Sequence, residues 1–504
     1  MLEIYQTKFL QKSITHSLFK SNALLFNRTS DNIYQKRLRS DICKTKKNDI
    51  KLTLTSPLNN VSFKREFAFS LNDGVIGKKN NEMWKEYRAL DSRIIRPVDA
   101  ADFFVSDYYI NVTDVFPKTS TKEFKKRVEE NFSKIELFNL ALKRINGHLF
   151  FIHKPFKMHL EEIKYTEDEE IENFLKKKDK MIIPHETIKE EDDKDVQALF
   201  SFKICQLQKS NKTKITFTVN HCVADGRSAF TILDFIRKIL NGENLERNDE
   251  TLPNFGGVER FKNLDESFYT APKTWSEINN LPLLPKIKPP FKYVRPHMIF
   301  DYKSISKFIK ENNITIQAML MAVVSRAARR YKNLPKETPI WNTTHVDART
   351  SPYATEEFKK RKFYNNIGVI YVKMVGQPTL MEDLKHCMAQ LQKARKSHDE
   401  IRQLVCCSNA LDPKTLKFVP QGTFPNQYQH SIVTSSNIGK VNGTFPLITS
   451  SNAPYLFVSN LSSYHTDDKL FVTFLRPYDF DKSYVDIIIE EVNKVFIPEN
   501  ISKY

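Results

Sequence analysis

Alternation of apolar and polar positions is cleanest at TKITFTVN, residues 213–220. Ile215, Phe217 and Val219 fall on one side of an extended chain and Thr216, Thr218 and Asn220 on the other, which predicts a half-buried strand. After an HCVADG turn the period changes. In SAFTILDFIRKILNG, residues Ala229, Ile232, Leu233, Ile236 and Ile239/Leu240 share one helical face, with Ser228 as candidate N-cap and Asn241-Gly242 as the stop. Helical periodicity is also predicted over 121–147, ending at Asn146-Gly147. A further helix is predicted over 313–333, with Ile316, Met319, Leu320, Val323 and Val324 on its core side.

The apolar, aromatic run at 103–116 predicts a buried strand, and strands are expected at 339–350, 366–374, 429–437, 455–460 and 469–477. Helices at about 376–405 and 483–496 accompany them. Residues 164–195 alternate blocks of acid and base, which reads as a solvated helix and loop. Residues 252–292 lack periodicity and finish in LPLLPKIKPP; proline fixes φ and removes amide donors, so an extended crossover is predicted there. The pattern is that of an α/β protein with helices packed on mixed sheets. It divides into a basic, poorly structured arm at 1–80, a first domain at 81–255, a crossover at 256–292 and a second domain at 293–504.

At 504 residues the chain is long enough for two full cores. No apolar run reaches the roughly 20 residues that span a bilayer, so a soluble protein with no transmembrane segment is expected. The formal charge of +18 would attract something anionic, but Lys and Asn are abundant throughout, and a solvated basic surface accounts for it equally well. No Cys/His finger, aromatic RNP pattern or basic helix joined to heptads is present, so no nucleic-acid partner is expected. The six cysteines show neither CxxC spacing nor a regular framework and read as reduced thiols, which points to the cytoplasm. The first forty residues carry only Glu3 and Asp31 as acids; a mitochondrial presequence is the second reading of that arm. A monomer is expected.

The residues between the strand and the helix carry the chemistry. His221 is placed at a sheet rim on a tight turn, held by rigid elements on both sides, as a general base requires. An imidazole, with its ordinary pKa near 6.5, can take a proton from a hydroxyl or amine at neutral pH and return it. Other readings stand beside this one. Asp225 serves equally as a helix cap, and His221 as a buried ring satisfied by backbone. A metal pair is disfavoured, because Gly226 argues for a turn and no third ligand is in sight; no metal is expected.

HCVADG resembles the HxxxDG signature of the chloramphenicol acetyltransferase-like superfamily. That group includes the plant HxxxD acyltransferases, fungal alcohol acetyltransferases, mycobacterial polyketide-associated acyltransferases and nonribosomal peptide condensation domains. ITIQAMLMAVVSRAARR is similar to the family's helix after the crossover, and HVDARTSPYATEEFKKRKFYNNIG to its "VDxR … GNxxG" strand and loop. TSSNIGKV, residues 434–441, is similar to the "SNxG" segment of the alcohol-acetyltransferase and mycobacterial branches. The resemblance covers roughly residues 84–500. The plant branch's DFGWG segment is missing, and Asn220 stands where condensation domains usually carry a second histidine.

The resemblance implies two chloramphenicol-acetyltransferase-like domains, each a mixed sheet flanked by helices, with a tunnel at their interface. Acyl-CoA, most simply acetyl-CoA, would enter as co-substrate from one face and a small alcohol or amine from the other; no permanently bound cofactor is implied. His221 would deprotonate the acceptor as it attacks the thioester carbonyl, and Asp225 would turn away to pair with Arg349. Gly226 would permit the turn and a close approach of substrate. Ser435, Ser436 and Asn437 are oxyanion candidates, against the reading that they are polar strand-end residues. The KKRK run at 359–362 is read as a basic surface loop, with contact to CoA phosphates as the alternative. Two other functions remain: a catalytically inactive condensation-domain-like scaffold, and a condensation enzyme joining an amide or ester from a carrier-bound thioester.

Overall fold

A computed structural model describes residues 84–163, 193–279, 293–416, 432–451 and 460–504, apart from a few positions inside those spans. The arm expected at 1–80, most of the acid–base segment, the proline-rich run and most of the strand expected at 455–460 lie outside the described residues. By internal contacts the chain divides into two compact units: Met1–Gly74 with Arg144–Leu149, and Val75–Lys143 with Phe150–Tyr504. Of the first unit only the turn around Asn146-Gly147 is described, with φ of 49° and 85°.

In the first part of the chain come β1 (Ile94–Pro97), β2 (Tyr109–Pro117), α1 (Thr121–Phe132), β3 (Leu140–Ile145) and β4 (His148–His153). Then follow β5 (Leu160–Ile163), β6 (Val196–Ala198), β7 (Phe200–Leu207), β8 (Lys212–Asn220) and α2 (Gly226–Leu240). The later part contains β9 (Tyr293–Val294), β10 (His297–Asp301), α3 (Tyr302–Glu311), α4 (Ile316–Lys332), β11 (Ile340–Asp347) and β12 (Ile367–Met374). It closes with α5 (Leu380–Lys396), α6 (Asp399–Ser408), β13 (Ile432–Lys440), β14 (Leu447–Ser451), β15 (Asn460–His465), β16 (Lys469–Pro477) and α7 (Lys482–Phe496).

A five-stranded sheet runs β14-β2-β8-β7-β5, and a larger sheet runs β10-β16-β15-β13-β11-β12 with β9 paired to β16. Both are mixed: β5 lies parallel to β7, and β13 lies parallel to β11 and β15, while the other pairs are antiparallel. β14 crosses from the later part of the chain to pair with β2 (Leu447↔Thr113 to Ser451↔Tyr109), so a long-range strand completes the first sheet. Such pairing is invisible to local pattern. The alternation read at β8 holds: Ile215, Phe217 and Val219 are fully buried, and the Thr216 hydroxyl meets that of Thr113 at 2.8 Å.

α4 is the centre of the larger core. Leu320, Val323 and Val324 pack with Leu384 of α5, Ile488 and Val492 of α7, and the sheet residues Ile370, Val372, Leu461, Val472 and Phe474. Arg326 of the same helix donates to Asp383 at 2.6 Å and to Glu491 at 3.0 Å, tying α4 to both neighbouring helices. Among the described residues no helix is long and apolar enough to cross a membrane. Cys205, Cys222, Cys387, Cys406 and Cys407 are buried free thiols.

Three expectations change. The helix predicted over 121–147 stops at Phe132, and Leu140–Ile145 is a strand whose pairing with β6 overrides the helical spacing; Asn146-Gly147 is its hairpin turn. The strand predicted from 103 begins only at Tyr109, after a short helix at Ala100–Phe103. The crossover is not uniformly extended: Val258–Arg260, Glu266–Tyr269 and Lys273–Asn279 are short helices, the last burying Trp275 and Ile278 against Trp341 and Tyr371.

Leu320 has no exposed surface, so truncation removes packing that the neighbouring helices cannot refill. Leu320→Ala is expected to lower stability by about 2–5 kcal/mol, read as a shifted urea midpoint; an unmoved midpoint would show that α4 is not seated in this core.

Candidate active site

The turn after β8 is tied down before any catalytic question arises. Asn220 is fully buried; its Nδ2 donates to the Ser106 carbonyl at 2.5 Å and its Oδ1 accepts from the Cys222 amide at 3.0 Å. The His221 amide donates to the Tyr108 carbonyl at 2.7 Å. Cys222, Val223 and Ala224 sink into the core, and the Tyr364 amide donates to the Val223 carbonyl at 2.9 Å. A segment distant in sequence therefore grips the turn by its main chain.

Asp225 uses its two oxygens for two tasks. Oδ1 caps α2, accepting from the Ser228 amide at 2.8 Å and the Ser228 hydroxyl at 3.0 Å. The N-cap is thus Asp225 and not Ser228. Oδ2 accepts from Arg349 Nη2 at 2.8 Å and from the Asn366 amide at 3.3 Å. The capping and ion-pair readings of Asp225 are both satisfied. The pair is dry, with Asp225 1% and Arg349 3% exposed. The remaining Arg349 donors go to Asp347 (Nε to Oδ1, 2.7 Å) and the Arg361 carbonyl (Nη1, 3.3 Å), while Asp347 Oδ2 accepts from Arg227 at 3.0 Å. Asp347 thus links the end of β11 to the first turn of α2.

Gly226 begins α2. A Cβ there would lie 3.2 Å from Ile438 of β13, so the missing side chain lets the helix approach the larger sheet. The close approach it serves is to protein.

His221 is half-buried, and its Nδ1 is fully covered without a hydrogen-bond partner. Burial pulls its pKa below the ordinary imidazole value; its own main chain and the Asp225 carboxylate oppose this less strongly. The ring is therefore neutral at pH 7. Among the described residues no group of His, Cys, Asp and Glu converges to hold a metal ion.

The three residues of the β13 segment do not act together. The Ser435 hydroxyl donates to Asn342 Oδ1 at 2.8 Å and accepts from Gln317 Nε2 at 2.7 Å, so it faces α4. The Asn437 amide donates to Gln317 Oε1 at 2.9 Å, and its side-chain oxygen accepts from Ser463 at 3.1 Å. Ser436, between them, falls on the opposite face by the pleat. Of the KKRK run, Arg361 turns inward to the Thr251 carbonyl at 3.2 Å and Lys359 pairs with Glu356 at 2.7 Å.

Sequence reasoning passed over three participants. Asn366 is fully buried and offers its amide to Asp225. Gln317 clamps β13 through both ends of its amide. His345 of β11 is close enough to His221 to feel its charge: burial first, then His221, pushes the His345 pKa down to about 4, against a backbone hydrogen bond at Ser435. Its Nδ1 is also covered without a partner. The signal for His345 was its place two residues before Asp347, on the same face of β11.

Removing Asp225 would leave the buried Nη2 of Arg349 without its carboxylate partner. Asp225→Ala is expected to cost about 3–5 kcal/mol as well as activity, measured as a lowered melting temperature; an unchanged melting temperature would reduce Asp225 to an ordinary cap.

No family model and no curated relative matches the sequence. Solved structures do match the fold. Polyketide synthase associated protein 5 from Mycobacterium tuberculosis superposes with a TM-score of 0.57 at 10% identity, over 81% of this chain and 99% of that one. The epimerization domain from the third module of tyrocidine synthetase B gives 0.56 at 10% identity, over 82% and 99%. The first condensation domain of the calcium-dependent antibiotic synthetase, in complex with a substrate analogue, gives 0.54 at 10% identity, over 83% and 94%. The chain has the chloramphenicol acetyltransferase-like fold of condensation domains.

Proposed function

We propose that the protein is an acyltransferase that moves an acyl group, acetyl in the simplest case, from CoA to the hydroxyl or amine of a small acceptor, with His221 as general base. The observation that carries this reading is a neutral, desolvated imidazole on a turn locked by the Asp225–Arg349 pair. Chemically, His221 takes the proton of the acceptor as its oxygen or nitrogen bonds to the thioester carbonyl carbon. The tetrahedral intermediate collapses with cleavage of the C–S bond, and the imidazolium returns the proton to the departing thiolate. Asp225 takes no proton in this scheme; its two oxygens hold the turn. Ser436 is the side-chain candidate for the oxyanion, because Ser435 and Asn437 are engaged on the helix side of the sheet.

A second reading, condensation using a carrier-bound thioester, is favoured by the condensation-domain matches. The same base would serve it. Incubating the protein with acyl-CoAs of graded chain length and following free thiol separates the two, since a carrier-dependent enzyme leaves them intact.

His221→Ala is expected to fold normally and to lose about 10²- to 10⁴-fold in turnover, by thiol release; full activity in this variant would sink the mechanism. The pH profile gives a separate check. The base works only when deprotonated, and burial disfavours its charged form, so kcat/KM should hold at neutral pH and fall only below the ordinary imidazole value of about 6.5. An acid limb centred at or above that value would show that His221 is not the desolvated base.

A further inference from the structure

The larger sheet buries polar groups on both faces, each among apolar neighbours. One packs Ile340, Ile370, Val372, Leu461, Val472 and Phe474 into the core around α4. Alternation puts Thr343 and His345 of β11, Thr434 and Ser436 of β13, Ser462 of β15 and Thr473 of β16 on the other. These are neighbours across the sheet: Thr343 pairs with Thr434, Ser436 with Ser462, and Ser462 with Thr473. Thr343 is 2% exposed, yet its hydroxyl has no hydrogen-bond partner, and neither has His345 Nδ1 two residues along. A buried polar atom left without a partner costs about 1–3 kcal/mol. Two such atoms on one strand, beside a candidate base, are met by an ordered water or by a polar group of a ligand.

We infer that Thr343 and His345 bind a second hydrogen-bonding group on the acceptor, so that the substrate is a bifunctional polar molecule such as a diol or amino alcohol and not a simple aliphatic alcohol. The inference rests on the acyl-transfer reading. The two positions are about 6–7 Å apart along the strand, so one polar group set between their side chains reaches both. The acetyl thioester carbonyl can accept from the Thr343 hydroxyl and is one other polar source. The amides of the CoA pantetheine arm are another, and the measurement has to separate them.

The test pairs acceptors differing by one polar end, with acetyl-CoA as donor and thiol release as the readout. Butane-1,4-diol is compared with butan-1-ol, and 4-aminobutan-1-ol with butylamine. The native protein is expected to favour the two-ended member of each pair by about 10-fold or more in kcat/KM. Thr343→Val and His345→Leu should each bring that ratio close to one, while His345→Gln, which keeps a donor and an acceptor, should restore most of it. A ratio does not depend on the fraction of protein folded. The inference is overturned by a native ratio near one, by a ratio that survives Thr343→Val and His345→Leu, or by a raised KM for acetyl-CoA with the ratio unchanged. His221-dependent thiol release without preference defeats this inference alone; absence of any His221-dependent release defeats the acyl-transfer reading and this inference with it.

Discussion

A carboxylate taken out of water must have both oxygens occupied, and Asp225 meets that demand from two directions. One oxygen closes the start of α2; the other receives the Arg349 guanidinium and the Asn366 amide. The first partner is local and the second lies more than a hundred residues away, so one group joins the β8 turn to the end of β11. Such a pair adds little net stability over a well-packed apolar substitute, yet losing one member is costly because the other stays buried. Its value here is geometric. Asp225 and the Tyr364–Val223 hydrogen bond hold the turn after His221, and its own amide donates to the Tyr108 carbonyl.

The electrostatics of His221 follow from that placement. Desolvation outweighs the opposing effects of its own main chain and of the Asp225 carboxylate. The neutral ring is the form able to accept a proton. His345 experiences the same burial and, in addition, the neighbouring imidazole, and so stays neutral over a still wider range. Under the proposed function, His345 on the hydroxyl-bearing face of the larger sheet and His221 on the turn after β8 would discriminate by hydrogen bonding, where apolar contact alone would separate substrates only weakly.

Under the proposed function, the face of the larger sheet turned away from α4 carries the substrate contacts. The face against α4, α5 and α7 is mainly aliphatic and aromatic, with Asn342 and Ser435 buried beside Gln317, and the Arg326 ion pairs join those helices to one another. The other face carries Thr343, His345 and Ser436 beside the turn. Gln317 connects the two: from the apolar side it fixes Ser435 and Asn437, and through them the strand that presents Ser436. A residue of the core helix thereby fixes the position of β13.

The β8 strand, the helix after it, α4 and the strands β11, β12 and β16 were legible because their periods of two and 3.6 are local properties of the chain. So was the strand–His–turn–Asp-Gly–helix order, since spacing alone puts His221 at a rim and Asp225 at a cap position. Tertiary structure decided what local order leaves open. Pairing with β6 turned Leu140–Ile145 from helix into strand. β14 was carried across to β2, and the facing of Ser435 was settled by Gln317 and Asn342. His345 became a neighbour of His221. Each of these depends on register and pleat between strands far apart in sequence, where a shift of one residue would reverse every side chain, and no local pattern encodes that choice.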